Sequence, residues 1–172
     1  MTEQQVYRLL EQREGYELRE YAAVAIASVS ATGDIRTAPY QGFDKLFRYI
    51  STNSIAMTAP VVQREKSENL WSVEFVMPAG SSADSLPAGD SIGVTVRQQP
   101  EEVCAVVSFR GGVGNSKVLA KASALRAALK RDGLAITGPL QVARFNSPFV
   151  PLPLRYNEIR YPVSISLPKI RR

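Results

Sequence analysis

Hydrophobic and polar residues alternate with period two in several short stretches of this chain, which is the pattern of half-buried strands. Every second residue from 71 to 77 is apolar, and Ser72 and Glu74 fall between them. The stretch SIGVTVR alternates in the same way, and CAVVSF and LQVARF also predict strands. Residues 157–165 predict a last strand, in which Pro162 favours a place at an edge or a bulge.

Two other stretches carry the three- and four-residue spacing of an amphipathic helix. The first helix is predicted to begin near Thr37, because Pro39 suits a first turn. One of its faces is strongly aromatic, and is formed by Tyr40, Phe43, Phe47 and Ile50 with Leu46 beside them. The second helix is predicted to begin at Asn115 or Ser116 and to stop at Gly133. Its apolar side consists of Val118, Ala122, Leu125 and Leu129.

These elements follow the same order twice. An offset of 78 aligns residues 29–33 with residues 107–111, and an offset of 79 aligns residues 55–60 with residues 134–139. One residue of slip between two matches in the same order is what a duplicated unit with a small insertion gives. We therefore predict a single domain over residues 1–172, made of two strand-helix-strand-strand units at about residues 16–78 and 91–166. Two such units can pair their strands into one curved antiparallel sheet, which covers the edges that one unit would expose.

The composition supports one ordinary globular domain. The chain has 172 residues, of which 45% are hydrophobic, and no stretch is low in complexity. Its first twenty residues are polar, unlike a signal peptide, and no stretch reaches the roughly 18 apolar residues of a membrane span. Cys104 is the single cysteine and cannot form an internal disulfide. We therefore expect a cytoplasmic protein without a membrane span.

The residue types exclude several kinds of chemistry. The chain has no histidine, which removes the commonest general base, zinc ligand and proximal heme ligand. It also lacks CxxC pairs and nucleotide-binding glycine loops, so we predict neither catalytic residues nor a metal site. The 21 basic residues exceed the 16 acidic ones, giving a net charge of +5, but they form no clustered stripe of the kind that binds nucleic acid. A small anionic ligand fits the same sign of charge.

Three stretches of the chain follow one another in a distinctive order: YELREYAAVAIASVSATGD, FDKLFRYI and IAMTAPV. They are followed by WSVEFVMP, VCAVVSFRGG and ARFNSPFVPLPLRYNEIRYPV. In this order, over roughly residues 16–162, the chain resembles the SOUL heme-binding protein family. The resemblance implies an α+β fold, in which duplicated βαββ units form a distorted antiparallel β-barrel with two long helices, akin to effector-binding domains.

The resemblance also implies a ligand and its site. Members of the family bind heme and related tetrapyrroles, so we expect a carrier, buffer or sensor with a shallow apolar pocket and basic residues for the propionates. The implied apolar wall consists of Tyr40, Phe43, Leu46, Phe47, Met57, Phe149, Val150 and Leu152. The implied propionate partners are Lys45, Arg48 and Arg155. Without histidine, iron would need another ligand, such as Met57, Cys104 or a tyrosine.

Each candidate residue also has an explanation without a ligand. An aromatic row at helical spacing is usually core, and Asp44 with Arg48 is an ordinary helical ion pair. The second-ranked hypothesis is a module of the same fold that binds another amphipathic ligand or a protein partner. The third is removal of magnesium from a chlorophyll-like tetrapyrrole, for which the candidate acid-base groups are Glu17, Glu20, Glu74 and Glu158.

Overall fold

The computed structural model describes residues 2–147 and 149–165. In this part of the chain, two helices, α1 (Ala38–Thr52) and α2 (Asn115–Arg131), interrupt a series of strands. The strands of the first half are β1 (Glu3–Gln4), β2 (Tyr7–Arg13), β3 (Tyr16–Tyr21), β4 (Val24–Thr32), β5 (Thr58–Ala59), β6 (Val61–Ser67) and β7 (Leu70–Val76). Those of the second half are β8 (Thr95–Gln99), β9 (Glu102–Arg110), β10 (Ala135–Ile136), β11 (Gln141–Arg144) and β12 (Tyr156–Ser164).

The predicted fold class is confirmed: the protein is α+β, and one strongly curled antiparallel sheet forms a half-barrel with two helices. The strand order is β2-β3-β9-β12-β11-β6-β7-β4-β8, and β10 adds to β12. From β3 to β8 this order is symmetric about the β6–β11 pair, because β3, β9, β12 and β11 correspond to β8, β4, β7 and β6. The boundaries of the two sequence repeats stay a prediction.

Both helices pack on the same face of the sheet. Helix α1 covers β4 and β7, and α2 covers β9, β12 and β10. The main core lies between the helices and the sheet, because every second residue of β4 and β7 points to the helices and is buried. Its helix side chains include Leu46, Tyr49 and Ile50 from α1 and Val118, Ala122, Leu125 and Leu129 from α2. The predicted apolar side of the second helix is thus the buried side.

The aromatic row of α1 does not belong to this core. The buried residues of the helix are Ala38, Pro39, Gly42, Leu46, Tyr49 and Ile50. Tyr40, Phe43 and Phe47 lie on the neighbouring face and are 71%, 37% and 50% exposed. Three large aromatic side chains on one open helix face are unusual for a surface that contacts only water.

Three details of the strands differ from the sequence prediction. The stretch SIGVTVR is only partly a strand, because Asp90–Ile92 forms a 3-10 turn and β8 begins at Thr95. The last strand is not at an edge, since β12 pairs with β9 on one side and with β11 and β10 on the other. Proline has no backbone N–H to donate to a neighbouring strand. Pro162 lies between the β11 and β10 pairings, where its carbonyl makes the hydrogen bond instead, by accepting from the Thr137 backbone amide. The hairpin of β2 and β3 was not predicted.

The face of the sheet opposite the helices carries buried ion pairs. Glu158 on β12 accepts hydrogen bonds from Arg19 on β3 at 2.6 Å and from Arg160 at 2.7 Å. Glu74 on β7 accepts one from Arg97 on β8 at 2.9 Å and one from Arg64 at 3.3 Å. Because β3 and β12 correspond to β8 and β7, the Arg19–Glu158 and Arg97–Glu74 pairs occupy equivalent places in the two halves.

Candidate functional site

A cavity of about 190 Å³ opens on the helix side of the sheet, close to its symmetry centre. The beginning of α1 and strand β6 form one wall, and the loop between β9 and α2 forms another. The ends of β11 and β12 complete it. The lining residues are Pro39, Tyr40, Phe43, Val61, Gly111, Gly112, Val113, Arg144, Asn146, Arg155 and Asn157. We call this space the aromatic cavity.

The loop from β9 to α2 takes its shape from glycine. Gly111 has a φ of 102°, a conformation that side chains with a Cβ rarely adopt. Its carbonyl accepts a hydrogen bond of 2.9 Å from the side-chain amide of Asn157, which ties the loop to β12. The side chain of Leu152 lies against Gly112, so the proline-rich loop after β11 contacts the rim of the cavity.

Arg144 is held in place in the cavity by two hydrogen bonds. Its guanidinium donates hydrogen bonds to the Ile35 carbonyl at 2.6 Å and to the Gln63 side chain at 2.9 Å. Both acceptors are neutral. The pKa of Arg144 is lowered to about 10, mainly by burial; Tyr40 opposes this shift, and the positive charge of Arg155 adds to it. The group is still charged at neutral pH, so the cavity contains a poorly solvated cation.

Arg155 supplies a second positive charge to the same cavity. Its Nε donates a hydrogen bond of 2.9 Å to the Val150 carbonyl, which holds the guanidinium against the loop after β11. The described lining residues include two arginines and no carboxylate. Two asparagines, Asn146 and Asn157, add neutral polar groups. The arrangement therefore favours an anionic group over a cationic one.

The aromatic side chains extend the apolar wall beyond the cavity. Phe43 lines the cavity and packs edge-on against Phe75 of the core, with ring centroids 5.4 Å apart. Phe47 stacks on Phe43 at 5.9 Å with an interplanar angle of 12°. Tyr40 stands at the other end of the row. Together these residues offer an exposed aromatic surface next to two guanidinium groups.

The structure brings some of the sequence-predicted site residues together. Tyr40, Phe43 and Arg155 line the cavity itself, Phe47 continues its aromatic wall, and Leu152 contacts its rim. Phe149 and Val150 belong to the same proline-rich loop, and Phe149 is 96% exposed.

The other predicted residues lie elsewhere. Leu46 is fully buried in the core, so it is a packing residue rather than part of the wall. Met57 is partly buried against the same core and does not line the cavity. Lys45 and Arg48 do not line it either, and the Lys45 ammonium lies near Gly93 on the far flank of α1.

The four candidate acid-base carboxylates are engaged in ion pairs away from the cavity. Glu74 and Glu158 hold the buried pairs described above. Glu17 contacts Arg19 at 2.8 Å, and Glu20 contacts Arg8 at 3.0 Å. No cluster of three or more potential metal ligands occurs among the described residues. Cys104 is fully buried on the opposite face of the sheet, and burial raises its pKa to about 12, so its thiol is not available at this site.

Arg144 and the loop of Gly111 and Gly112 are the functional candidates that the sequence prediction missed. A signal for Arg144 was present in the stretch LQVARF. Strand alternation places Arg144 on the same side as Val142, which is the buried side. An arginine at an inward position of a strand needs a partner or a ligand.

Three comparisons bear on this geometry: with protein-family models, with curated proteins and with solved structures. The family model described as SOUL heme-binding protein matches residues 2–162. A comparison with curated proteins gives no significant match. No helix in the described part of the chain is long and apolar enough to cross a membrane.

Solved structures of the same fold are similar to this chain at low sequence identity. The C-terminal domain of EcmrR is 15% identical with a TM-score of 0.62, over 92% of this chain and 98% of that domain. A hydrolase from Listeria innocua is 15% identical with a TM-score of 0.60, over 86% of this chain and 91% of the hydrolase. SAV2435 bound to tetraphenylphosphonium is 13% identical with a TM-score of 0.50, over 87% of this chain and 93% of SAV2435. At these identities the likeness concerns the fold alone.

Proposed function

Because the chain belongs to the SOUL heme-binding protein family, we propose that it binds heme or a related tetrapyrrole reversibly at the aromatic cavity. In this role it acts as a carrier, buffer or sensor of the ligand. One observation carries the proposal: an exposed row of stacked aromatic side chains ends beside two guanidinium groups. A flat apolar ring with carboxylate side arms needs these two surfaces next to each other.

The residues of the site fit such a ligand in a partly exposed pose. Enclosed ligand pockets usually measure roughly 300–1,000 Å³, and the aromatic cavity, at about 190 Å³, is smaller. We infer that the cavity receives one edge of the ring with its carboxylates, near Arg144 and Arg155. The ring face then rests on Phe43 and Phe47. The rim residue Leu152 and the exposed Phe149 are placed to cover its outer side.

Iron coordination is not required for this mode of binding. The chain contains no histidine, and the thiol of Cys104 is buried on the other face of the sheet. Tyr40 is the residue of the cavity wall whose phenol oxygen could coordinate iron. When bound, a heme would supply its planar ring, its two carboxylates and its strong visible absorption.

The expected affinity is modest. Burying about 300 Å² of ring surface contributes on the order of 8 kcal/mol at about 25 cal/mol per Å². Association costs at least ~4 kcal/mol, so burial of the ring alone leaves about 4 kcal/mol, which corresponds to a dissociation constant of about 1 mM or weaker. Two charge-assisted contacts of the carboxylates with Arg144 and Arg155, at about 1.5–3 kcal/mol each, would bring it to the micromolar range. Such an affinity suits a protein that passes the ligand on or responds to its concentration.

A second candidate is a module that binds another amphipathic anion, and the small volume of the cavity favours it. A smaller aromatic carboxylate would be enclosed more fully than a tetrapyrrole. SAV2435, which shares the fold, is bound to tetraphenylphosphonium, a lipophilic cation. The two arginines of the aromatic cavity disfavour a cation here, so a ligand of this protein should have the opposite charge.

The proposal is tested by titrating the purified protein with hemin and, separately, with metal-free protoporphyrin, and following the Soret band. The variants are Arg144→Gln and Phe47→Ala. The matched control is Arg126→Gln, which makes the same charge change on α2, away from the cavity. We expect saturable one-to-one binding of both porphyrins, weakened at least tenfold in the two variants and unchanged in the control.

Each other outcome has a definite meaning. Non-saturable absorbance changes that the variants share with the wild type would overturn tetrapyrrole binding at this site. Tighter binding of a smaller aromatic carboxylate, such as naphthoate, would establish the second candidate instead. Much tighter binding of hemin than of protoporphyrin would show that a side chain ligates the iron, and Tyr40→Phe would then identify it.

A further inference from the structure

A second concave surface lies on the opposite face of the sheet, away from both helices. It has a volume of about 420 Å³ and runs across β8, β4, β7 and β6. Its lining residues are Ser28, Ser30, Arg64, Lys66, Ser72, Glu74, Thr95, Arg97 and Gln99, none of which is apolar. We call it the polar groove.

The floor of the groove is a fixed ionic arrangement. Glu74 is 1% exposed, and both of its oxygens are engaged. One accepts a hydrogen bond from Arg64 at 3.3 Å, and the other accepts bonds from Arg97 at 2.9 Å and from the Ser72 hydroxyl at 3.0 Å. The two guanidinium groups are therefore held in place before any ligand arrives, which lowers the entropy lost on binding.

Positive charge exceeds negative charge along the groove. Its lining contains three cations, Arg64, Lys66 and Arg97, and one carboxylate, Glu74. Arg64 also lies 3.8 Å from Glu102, which leaves a net positive charge when that carboxylate is counted. Each guanidinium has five N–H groups, and the contacts of Arg97 with Glu74 and Gln99 occupy two of them. Donors thus remain for an oxyanion.

Neutral hydrogen-bonding groups surround these charges. The hydroxyl of Ser30 accepts a hydrogen bond from Lys66 at 3.0 Å. Ser28 donates a long hydrogen bond of 3.4 Å to the Thr95 carbonyl. With Ser72, the Thr95 hydroxyl and the amide of Gln99, they offer donors and acceptors at the spacing of neighbouring strands. A surface of this kind suits a hydrophilic ligand with several hydroxyl groups.

The symmetry of the fold explains why the groove is open. In the second half, Tyr156 hydrogen-bonds to Glu158 at 2.9 Å, as Ser72 does to Glu74 in the first half. The tyrosine ring occupies space that the serine leaves free. Equivalent positions of one sheet are therefore filled in one half and hollow in the other.

We propose that the polar groove binds a small polyhydroxylated molecule that carries an oxyanion, of the sugar phosphate class. The oxyanion contacts the free N–H groups of Arg64 and Arg97 and the ammonium of Lys66. The ligand hydroxyls contact the serine, threonine and glutamine side chains. This site is independent of the aromatic cavity, which lies on the other face of the sheet.

The test uses glucose 6-phosphate as the probe, followed by isothermal titration calorimetry and by chemical-shift changes of backbone amides. Glucose and inorganic phosphate are the two comparison ligands. We expect saturable binding of glucose 6-phosphate, at least tenfold tighter than either comparison ligand, with shifts confined to β4, β6, β7 and β8. The Ser72→Tyr variant should lose at least tenfold in affinity, because it copies the filled half. Lys66→Ala should also weaken binding, whereas the exposed Lys130→Ala on α2 should not.

The outcomes separate the parts of the proposal. The site is overturned if glucose 6-phosphate does not bind the wild type. It is also overturned if Ser72→Tyr and Lys66→Ala both bind glucose 6-phosphate as tightly as the wild type does. Equal affinity for inorganic phosphate would overturn the polyhydroxylated ligand class and leave a simple anion site. If Ser72→Tyr does not fold, Lys66→Ala against Lys130→Ala decides the question. Hemin titrations of Ser72→Tyr should match the wild type, which keeps this test separate from that of the aromatic cavity.

Discussion

Glu158 and Glu74 occupy equivalent positions in the two halves but differ in how far their partners are buried. The arginines around Glu158, Arg19 and Arg160, have side chains that are 4% and 3% exposed. Those around Glu74, Arg64 and Arg97, are 16% and 35% exposed. Burial alone would raise the pKa of Glu158, but Arg160 and Arg19 outweigh it and hold the pKa below its usual range. Glu158 is therefore a carboxylate that the fold requires in its charged form.

We expect Glu158→Gln to lower the free energy of unfolding by about 3–5 kcal/mol, because it leaves the buried Arg160 without its carboxylate partner and Arg19 with Glu17 alone. Glu74→Gln should cost less, about half as much, because water reaches Arg97. Urea denaturation of both variants, followed by circular dichroism, measures the difference. Equal losses in the two variants would show that burial of the arginines does not set the energy of these pairs.

Some residues of the aromatic cavity could be predicted from the sequence and others could not. Tyr40, Phe43 and Arg155, to which the family resemblance pointed, line the aromatic cavity, and their role in binding stays a prediction. Arg144 could not be predicted, because the pattern of its strand shows that it points inward but not that its neighbours are neutral. Leu46 was expected in the apolar wall, but it packs in the core. Adjacent residues of a helix, such as Leu46 and Phe47, can face different surroundings, and the spacing of apolar residues does not show which one is buried.

At the level of elements, α1 has two apolar faces with different roles. The face of Leu46, Tyr49 and Ile50 closes the core. The face of Tyr40, Phe43 and Phe47 is open. Periodicity in the sequence groups residues that share a face, but it cannot show which apolar face the sheet covers. That choice depends on the tertiary packing of β4 and β7.

Two substitutions on adjacent residues of α1 should separate these faces. Leu46→Ala should lower the free energy of unfolding by about 2–5 kcal/mol, because it leaves a cavity in the core. Phe47→Ala should change it by less than about 1 kcal/mol, because half of the ring is already exposed. Chemical denaturation of the two variants gives both values. A loss for Phe47→Ala as large as that for Leu46→Ala would mean that the aromatic row is structural.

The end of α2 is tied to the sheet through Asp132. Its carboxylate is paired with Arg131 and accepts a hydrogen bond of 2.7 Å from the Tyr16 hydroxyl on β3. Arg131 first and Tyr16 second lower the pKa of Asp132 from 3.8 to about 2. A carboxyl group whose pKa is lowered on folding stabilises the folded state above its unfolded pKa, and this contribution is lost as the pH falls through its folded pKa.

Asp132→Asn should therefore lower the melting temperature at pH 7, and the difference from the wild type should shrink between pH 3.8 and about 2. Thermal melts across this range provide the measurement. Asp84→Asn, at an exposed position of a surface turn, is the matched control for losing one negative charge. A difference for Asp132→Asn that stays constant down to pH 2 would argue against the contribution of this carboxylate.

For the molecule as a whole, the sequence supports the fold class and the positions of both helices, but not all strands. The amphipathic spacing of α2 and the alternation around Trp71 reflect burial on one side, so these elements could be predicted. Strand β2 is mostly exposed on both faces, so its sequence shows no alternation of hydrophobic and polar residues. Strands β5 and β10 have two residues each, too few for any pattern. Their positions are set by pairing with distant strands.

The two halves exchange strands within one sheet. Strand β3 of the first half pairs with β9 of the second, and β8 of the second pairs with β4 of the first. Neither half can complete its sheet alone. We therefore expect one cooperative unfolding transition. Trp71 fluorescence, which reports on the first half, should coincide with circular dichroism of the whole chain, and two separated transitions would contradict this.

The same exchange affects the loop of residues 79–90, which joins the two halves. Ala79 and Gly80 are exposed at its beginning, while three separate strand pairings hold the halves together: β3 with β9, β4 with β8 and β6 with β11. A backbone cut after Gly80 removes a covalent link but none of these pairings. The two fragments should therefore stay associated after cleavage and reassemble when mixed.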